Sequence, residues 1–170
     1  MILWVAQGFG VGRIPVAPGT FGSFVGLVWF ALLVATGHIW TFCAGILLCF
    51  AVSIWLCGAA ERILHQTDPG SVVLDEIAAL PVCFSGWFAM IISNHHRMPV
   101  VDDFCNGRSW FLTATIFLLF RLFDVVKPWP IRQSQTLPGG WGVTVDDFLA
   151  AIYVNGIVLL SAWLKPALWA

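Results

Sequence analysis

Long apolar blocks run along this chain, interrupted by short polar clusters, and the blocks are too long and uniform for strands. No Asp, Glu, Lys or Arg occurs from Ile14 through Ala60. One bilayer crossing takes about 20 mostly apolar residues, so this stretch holds two helices, with Thr36-Gly37-His38 as the break. The pattern predicts helices over about 20–36 and 40–60, and further apolar segments at 77–93, 109–123 and 148–164. The third and fourth are short for a full crossing, which tilt or local bilayer thinning accommodates. Backbone polar groups in hydrocarbon must be satisfied within the segment, which leaves the helix as the economical choice. The expectation is an all-α integral membrane bundle of about five helices, one domain over residues 1–170.

Composition strengthens that reading. Of 170 residues, 59% are hydrophobic and 10% charged, and mean hydropathy is +0.89, whereas soluble domains average about 25% charged. The net charge of −1 supplies no basic field, which argues against nucleic acid as a partner. Cys43, Cys49, Cys57, Cys83 and Cys105 form no CxxC pair and are expected to be buried thiols, not a disulfide frame or zinc site. The N-terminal MILWVAQGFG lacks the basic flank of a signal peptide and reads as an interfacial or core-packing segment.

Alternating the five helices across a bilayer sorts the charges. Arg13, Arg62, Arg121, Lys127 and Arg132 fall on one face, and Arg97, Arg108 and Lys165 on the other; the excess points the first face to the cytoplasm. Glu61, Asp68, Asp75, Glu76, Asp124, Asp146 and Asp147 share that face, and only Asp102 and Asp103 lie opposite. Carboxylates from separate segments therefore converge on one side.

Four motifs carry the candidate chemistry. In FRLFDVVKPWPIR (120–132), a helix continuing to Lys127 puts Arg121, Asp124 and Lys127 on one arc. Pro128 then ends it, and Pro130 is expected to keep the next residues extended. Two cations flanking a carboxylate suit a phosphate beside a metal, although a snorkelling helix end with an ion pair has the same residues. In DPGSVVLDE (68–76), Asp68 reads as an N-cap with Pro69 at the first helical position. Asp75 and Glu76 then sit almost two turns in, where carboxylates are costly and functionally suspect and suit Mg²⁺. In PGGWGVTVDDFLAAIY (138–153), a helix starting near Asp146 makes Asp146 and Asp147 either helix-terminal acids or metal ligands. In GFGVGRIPVAPGTFGS (8–23), Thr20 is the expected N-cap, and the helix start with the Thr20 and Ser23 hydroxyls can receive phosphate. The His95-His96 pair reads as an exposed polar loop and Glu61 as an interfacial helix end.

In this order, GFGVGRIPVAPGTFGS, DPGSVVLDE, FRLFDVVKPWPI and GGWGVTVDDFLA resemble phosphatidylglycerophosphatase A over roughly residues 8–153. The resemblance implies an integral enzyme of the bacterial inner membrane that uses Mg²⁺ to remove the terminal phosphate of phosphatidylglycerophosphate; with the charge count above, its site is expected to face the cytoplasm. The expected metal set is Asp75, Glu76, Asp124, Asp146 and Asp147. Arg121 and Lys127, helped by Thr20 and Ser23, are expected to hold phosphate. A CDP-alcohol phosphotransferase would need a differently spaced signature absent here, and an ion carrier or channel would spread its acids through the bundle depth.

Overall fold

The computed structural model describes residues 1–166 and Trp169, and no strand occurs among them. A short α1 (Ile2–Ala6) leads through a 3-10 turn (Gly8–Arg13) to α2 (Pro18–Ala35) and α3 (Ile39–Leu64). The chain continues as α4 (Leu74–Cys83), α5 (Ser85–His95), a short α6 (Asp102–Cys105) and α7 (Ser109–Val126), then α8 (Ile131–Ser134) and α9 (Gly140–Leu164). Five spans are long and apolar enough to cross a membrane: α2, α3, α4 with α5 taken together, α7 and α9. The protein is a multi-pass helical membrane protein, as the hydrophobic pattern predicts.

Helices α4 and α9 form the centre, and small residues set how closely their neighbours approach. Gly19, Gly22 and Gly26 lie at helical spacing along α2 and admit α4. A Cβ on Gly22 would stand 2.8 Å from the Val73 Cβ, and one on Gly26 2.8 Å from the Leu80 Cβ. Small-residue stripes of this kind let membrane helices gain close van der Waals packing where no hydrophobic force drives them together. Gly140 does the same for α9 on α3, since a Cβ there would overlap the Ile54 carbonyl oxygen at 1.8 Å.

The third span is broken at Phe84, with Pro81 inside α4. A break inside hydrocarbon leaves backbone groups that need partners, and Asn155 of α9 supplies them. Its Oδ1 accepts from the Gly86 N–H at 2.8 Å, while its Nδ2 donates to the Val82 and Ala151 carbonyls. Around the break, Phe30 stacks on Phe84 at 4.4 Å, Phe42 stacks on Phe88 at 4.1 Å, and Phe104 meets Phe30 edge-on. The break thus lies in the aromatic part of the main buried core.

Several helix boundaries differ from expectation, each for a local reason. Asp68 is not an N-cap: it lies at φ 48°, and a turn over Pro69–Val72 delays the helix to Leu74, with Val73 as N-cap. Asp75 and Glu76 therefore sit in the first turn of α4. Helix α9 starts earlier than expected, at Gly140, so Asp146 and Asp147 lie nearly two turns inside it and cap nothing. The Thr144 hydroxyl, buried inside this helix, shares a hydrogen bond with the Ser53 hydroxyl at 3.1 Å. Helix α2 begins at Pro18 behind a left-handed Ala17, which puts Thr20 in the first turn with no capping bond. After the cis Trp129–Pro130 bond the chain turns into α8 and does not run extended. Cys57 and Cys83 are buried as expected, but Cys43 and Cys105 are exposed on the outer surface; all five thiols are free.

Candidate active site

Four spans bring their polar residues to one cavity of about 340 Å³, lined by Ala17 just ahead of α2, Pro18 and Gly19 of α2, Asp75 and Glu76 of α4, Arg121 and Asp124 of α7, and Asp146 and Asp147 of α9, together with Asp68 and Lys127. Its walls hold six carboxylates against two cations. Within the set, Asp75, Glu76 and Asp147 each offer an oxygen, and these three atoms lie within 4.8 Å of one another. Like charges this close repel strongly in a medium of low dielectric, so the trio calls for a positive partner beyond those present.

The two cations hold the remaining acids. Arg121 pairs with Asp124 at 2.6 Å and with Glu76 at 3.7 Å, and donates to the Ser23 hydroxyl at 3.3 Å. Lys127 caps α7 in a left-handed conformation, donates to Asp146 at 2.5 Å, and lies 3.9 Å from both Asp124 and Asp68. Burial lowers the Lys127 pKa, but the Asp146 hydrogen bond and the surrounding carboxylates outweigh it, and the net shift is upward. Lys127 therefore stays charged across the neutral range.

Three polar atoms here are buried without a partner among the described residues: Glu76 Oε2, Asp147 Oδ2 and Arg121 Nε. An unsatisfied buried polar atom costs about 1–3 kcal/mol, and more when charged. Two orphan carboxylate oxygens in the trio and one orphan guanidinium N–H beside it match a cation with an anion next to it. The donors are hard oxygens, the set that suits Mg²⁺.

Gly19 makes the cavity possible, because a Cβ at that position would stand 2.2 Å from Glu76 Oε1 and 3.0 Å from an Arg121 nitrogen. The glycine-rich stretch ahead of it has a bracing role. Gln7 Nε2 donates to the Ser71 hydroxyl at 3.2 Å, Arg13 Nε donates to Gln7 Oε1 at 2.9 Å, and the Val73 N–H donates to the Ala6 carbonyl at 3.0 Å. These bonds fix the loop that delivers Asp75.

A family model described as Phosphatidylglycerophosphatase A matches residues 4–162. The chain belongs to the phosphatidylglycerophosphatase A family. It is 34% identical to a Haemophilus influenzae protein named phosphatidylglycerophosphatase A, over 94% of this chain and 88% of the relative. An Escherichia coli protein of the same name is 28% identical over 91% of this chain and 79% of the relative. A Bacteroides thetaiotaomicron protein named putative phosphatidylinositol-3-phosphatase is 32% identical over 94% of this chain and 92% of its own length. No solved structure matches.

Within this member of the phosphatidylglycerophosphatase A family, the cavity gathers Asp75, Glu76, Arg121, Asp124, Lys127, Asp146 and Asp147, all singled out in the sequence. Asp124 and Asp146 face the cations, outside the trio. Thr20 and Ser23 lie outside the lining; buried Ser23 reaches the site through Arg121, which donates to its hydroxyl, and through the Gly19 carbonyl, to which that hydroxyl donates. Glu61 accepts from the Asp68 N–H at 2.9 Å and stays outside the trio. Sequence reasoning missed Asp68 as a wall residue, because an Asp before a Pro reads as a cap. Its left-handed backbone turns the side chain to Lys127 and to Gln135 Nε2, which donates to it at 3.1 Å.

Proposed function

We propose that this protein is a Mg²⁺-dependent lipid phosphatase that converts phosphatidylglycerophosphate to phosphatidylglycerol and phosphate at the cytoplasmic face of a bacterial inner membrane. One observation carries the reading: three clustered carboxylates, two of them with orphan oxygens, beside a guanidinium and an ammonium. Asp75, Glu76 and Asp147 would hold the ion, with Asp124 and Asp146 completing the set. Mg²⁺ bound there supplies Lewis-acid charge towards the phosphoryl group.

The chain's own residues do the rest. Arg121 offers a planar fork, part of which now pairs with Asp124, and exchanges that carboxylate for phosphoryl oxygens when substrate enters. Lys127, held charged by Asp146, is a second fixed electrostatic clamp and not a proton donor. Together they stabilise charge on the equatorial oxygens of the transferring group. Water attacks phosphorus in line with the ester oxygen, a carboxylate of the set takes its proton, and the P–O bond to glycerol breaks as that oxygen takes a proton from solvent water, the carboxylate's proton returning to solvent. The excess of Lys and Arg on the cavity's side of the bundle supports the cytoplasmic orientation.

The test is phosphate release from phosphatidylglycerophosphate by purified protein in detergent, with Mg²⁺, with chelator, and with Asp147→Asn. Release that needs the metal and is lost in the variant is the expected result; metal-independent release, or none from folded protein, overturns the reading. The Bacteroides relative's name favours one second substrate, so phosphatidylinositol 3-phosphate belongs in the same assay. Faster turnover of that lipid would move the assignment to phosphoinositides with the same site.

A further inference from the structure

Helices α2 and α7 supply Gly19, Arg121 and Asp124 to the cavity, yet their backbones barely pack on each other. Side chains bridge them: Ser23 meets Arg121, and Phe24 beside it stacks on Phe117, one turn along α7 from Arg121, with ring centroids 4.6 Å apart. Below that stack the two helices separate around an apolar groove of about 530 Å³, lined by Phe24, Leu27, Thr113, Ala114, Phe117 and Leu118, with Phe104 of α6 as its back wall. The groove continues past Leu27 and Thr113 into a narrower apolar chamber of about 100 Å³ that ends at Phe30, Ala31 and Val34.

We propose that this seam is the substrate's acyl-chain site: one fatty-acyl chain of a phosphomonoester phospholipid lies between α2 and α7 while its phosphate occupies the cavity above. The inference rests on the lipid-phosphatase reading. Three observations favour this occupant over a passing membrane lipid. The groove and the phosphate cavity share the same two helices, so a molecule anchored by Arg121 is led into the seam. Depth also fits. At 1.5 Å per residue, Phe24 lies about 8 Å and Ala31 about 18 Å along α2 from Gly19, while one leaflet of a hydrocarbon core about 30 Å thick is about 15 Å deep. The seam is also open sideways, with Phe21, Phe24, Leu118, Leu122 and Val125 all exposed along it, so a lipid enters from the bilayer without leaving it. Ala31, at the far end of the narrower chamber, is the residue that sets the longest chain accommodated.

Two measurements test this. Wild type, Ala31→Phe and Ala114→Phe are assayed on phosphatidylglycerophosphate carrying long chains and on its dihexanoyl analogue. The expected result is at least a tenfold fall in kcat/KM for the long-chain lipid and less than a twofold change for the short one. Equal losses on both substrates, or no loss on either, overturn the proposal. Independently of turnover, phosphatidic acid bearing a diazirine on its acyl chain is photolysed in nanodiscs with the wild-type protein. Labelling at Thr113 and Ala114 that excess phosphatidylglycerophosphate suppresses and phosphatidylcholine does not is expected. Labelling that both lipids displace alike marks ordinary membrane lipid and overturns the site. Selective labelling without any hydrolysis keeps the groove and sinks the phosphatase reading, so the two failures are separable.

Discussion

The bundle carries a polar cluster at each end, and the two are built on opposite plans. Beyond α5, Arg97 grips Asp103 through two hydrogen bonds of 2.7 and 2.6 Å, and the Val100 N–H adds a third at 2.8 Å. Every charge in that pair has its partner, and Arg97 is exposed. At the other end, six carboxylates crowd two cations, and one buried oxygen each of Glu76 and Asp147 has no partner among the described residues. A closed pair near solvent fastens a loop. An open, buried surplus of one sign is retained against its own repulsion only where something else binds, because leaving a buried charge uncompensated costs several kcal/mol. The contrast separates structural from functional polarity without reference to any relative.

The sharpest way to break that contrast is to remove a carboxylate from the open end. Asp147→Asn or Asp75→Asn is expected to lower kcat/KM by more than about a hundredfold, since residues that merely support metal ligands are already worth about 10–100-fold. Isothermal titration with Mg²⁺ alone should show the same loss, independently of turnover. A variant that still binds Mg²⁺ normally would leave the trio a structural feature like its counterpart.

Next in size is Arg121→Lys. The charge survives, but the planar fork that reaches Asp124, Glu76 and Ser23 does not. Loss of bidentate phosphate geometry is expected to reduce kcat/KM by about tenfold to a hundredfold, with Mg²⁺ affinity changed far less. If Mg²⁺ affinity fell as much as turnover, Arg121 would be organising the carboxylates and not meeting phosphate.

The third prediction concerns how α4 and α9 hold the open cluster together. Asn155→Leu leaves the Gly86 N–H and the Val82 carbonyl without their side-chain partner at the break. The expected cost is about 1–2 kcal/mol, or a fall in Tm of about 2–4 °C for each kcal/mol in a chain of this size. Activity should drop only a few-fold, and excess Mg²⁺ should restore part of the Tm, because ligand binding stabilises the assembled site. An unchanged Tm would show that the broken helix finds its partners elsewhere.

How much of this was legible in the sequence follows from the physics of each signal. Hydrophobic length is a strong cue, so the five spans and their alternation emerged from the apolar blocks, and the alternation gathered seven site residues at one end. Helix starts were misjudged because capping reads only local chemistry. Asp68-Pro69 looks like a start, but the turn over Pro69–Val72, braced by Gln7 and Ala6 from far along the chain, postpones it. The same error hid Asp68's place in the wall. At α9 the early start depends on Gly140 meeting the backbone of α3, a tertiary contact that no local pattern encodes. The break at Phe84 was invisible for a similar reason: its remedy, Asn155, lies 71 positions later in the chain.

The smallest expected effect tests the closed end. Asp102→Asn with Asp103→Asn should leave phosphate release at pH 7 within twofold of wild type, because no residue of that cluster lines the cavity. Stability carries the signature instead. The Arg97 hydrogen bond, with the Val100 N–H helping against partial burial, holds the Asp103 carboxyl below its usual range. A carboxyl depressed in the folded state stabilises the protein above its unfolded pKa, about 3.9, and loses that contribution as pH falls through the folded value. Wild type should therefore melt above the double variant at pH 7, and the gap should close as pH falls from about 4 through the folded value. Turnover lost in a folded double variant would place both clusters in the chemistry, and the distinction between a satisfied pair and an open one would fail for this protein.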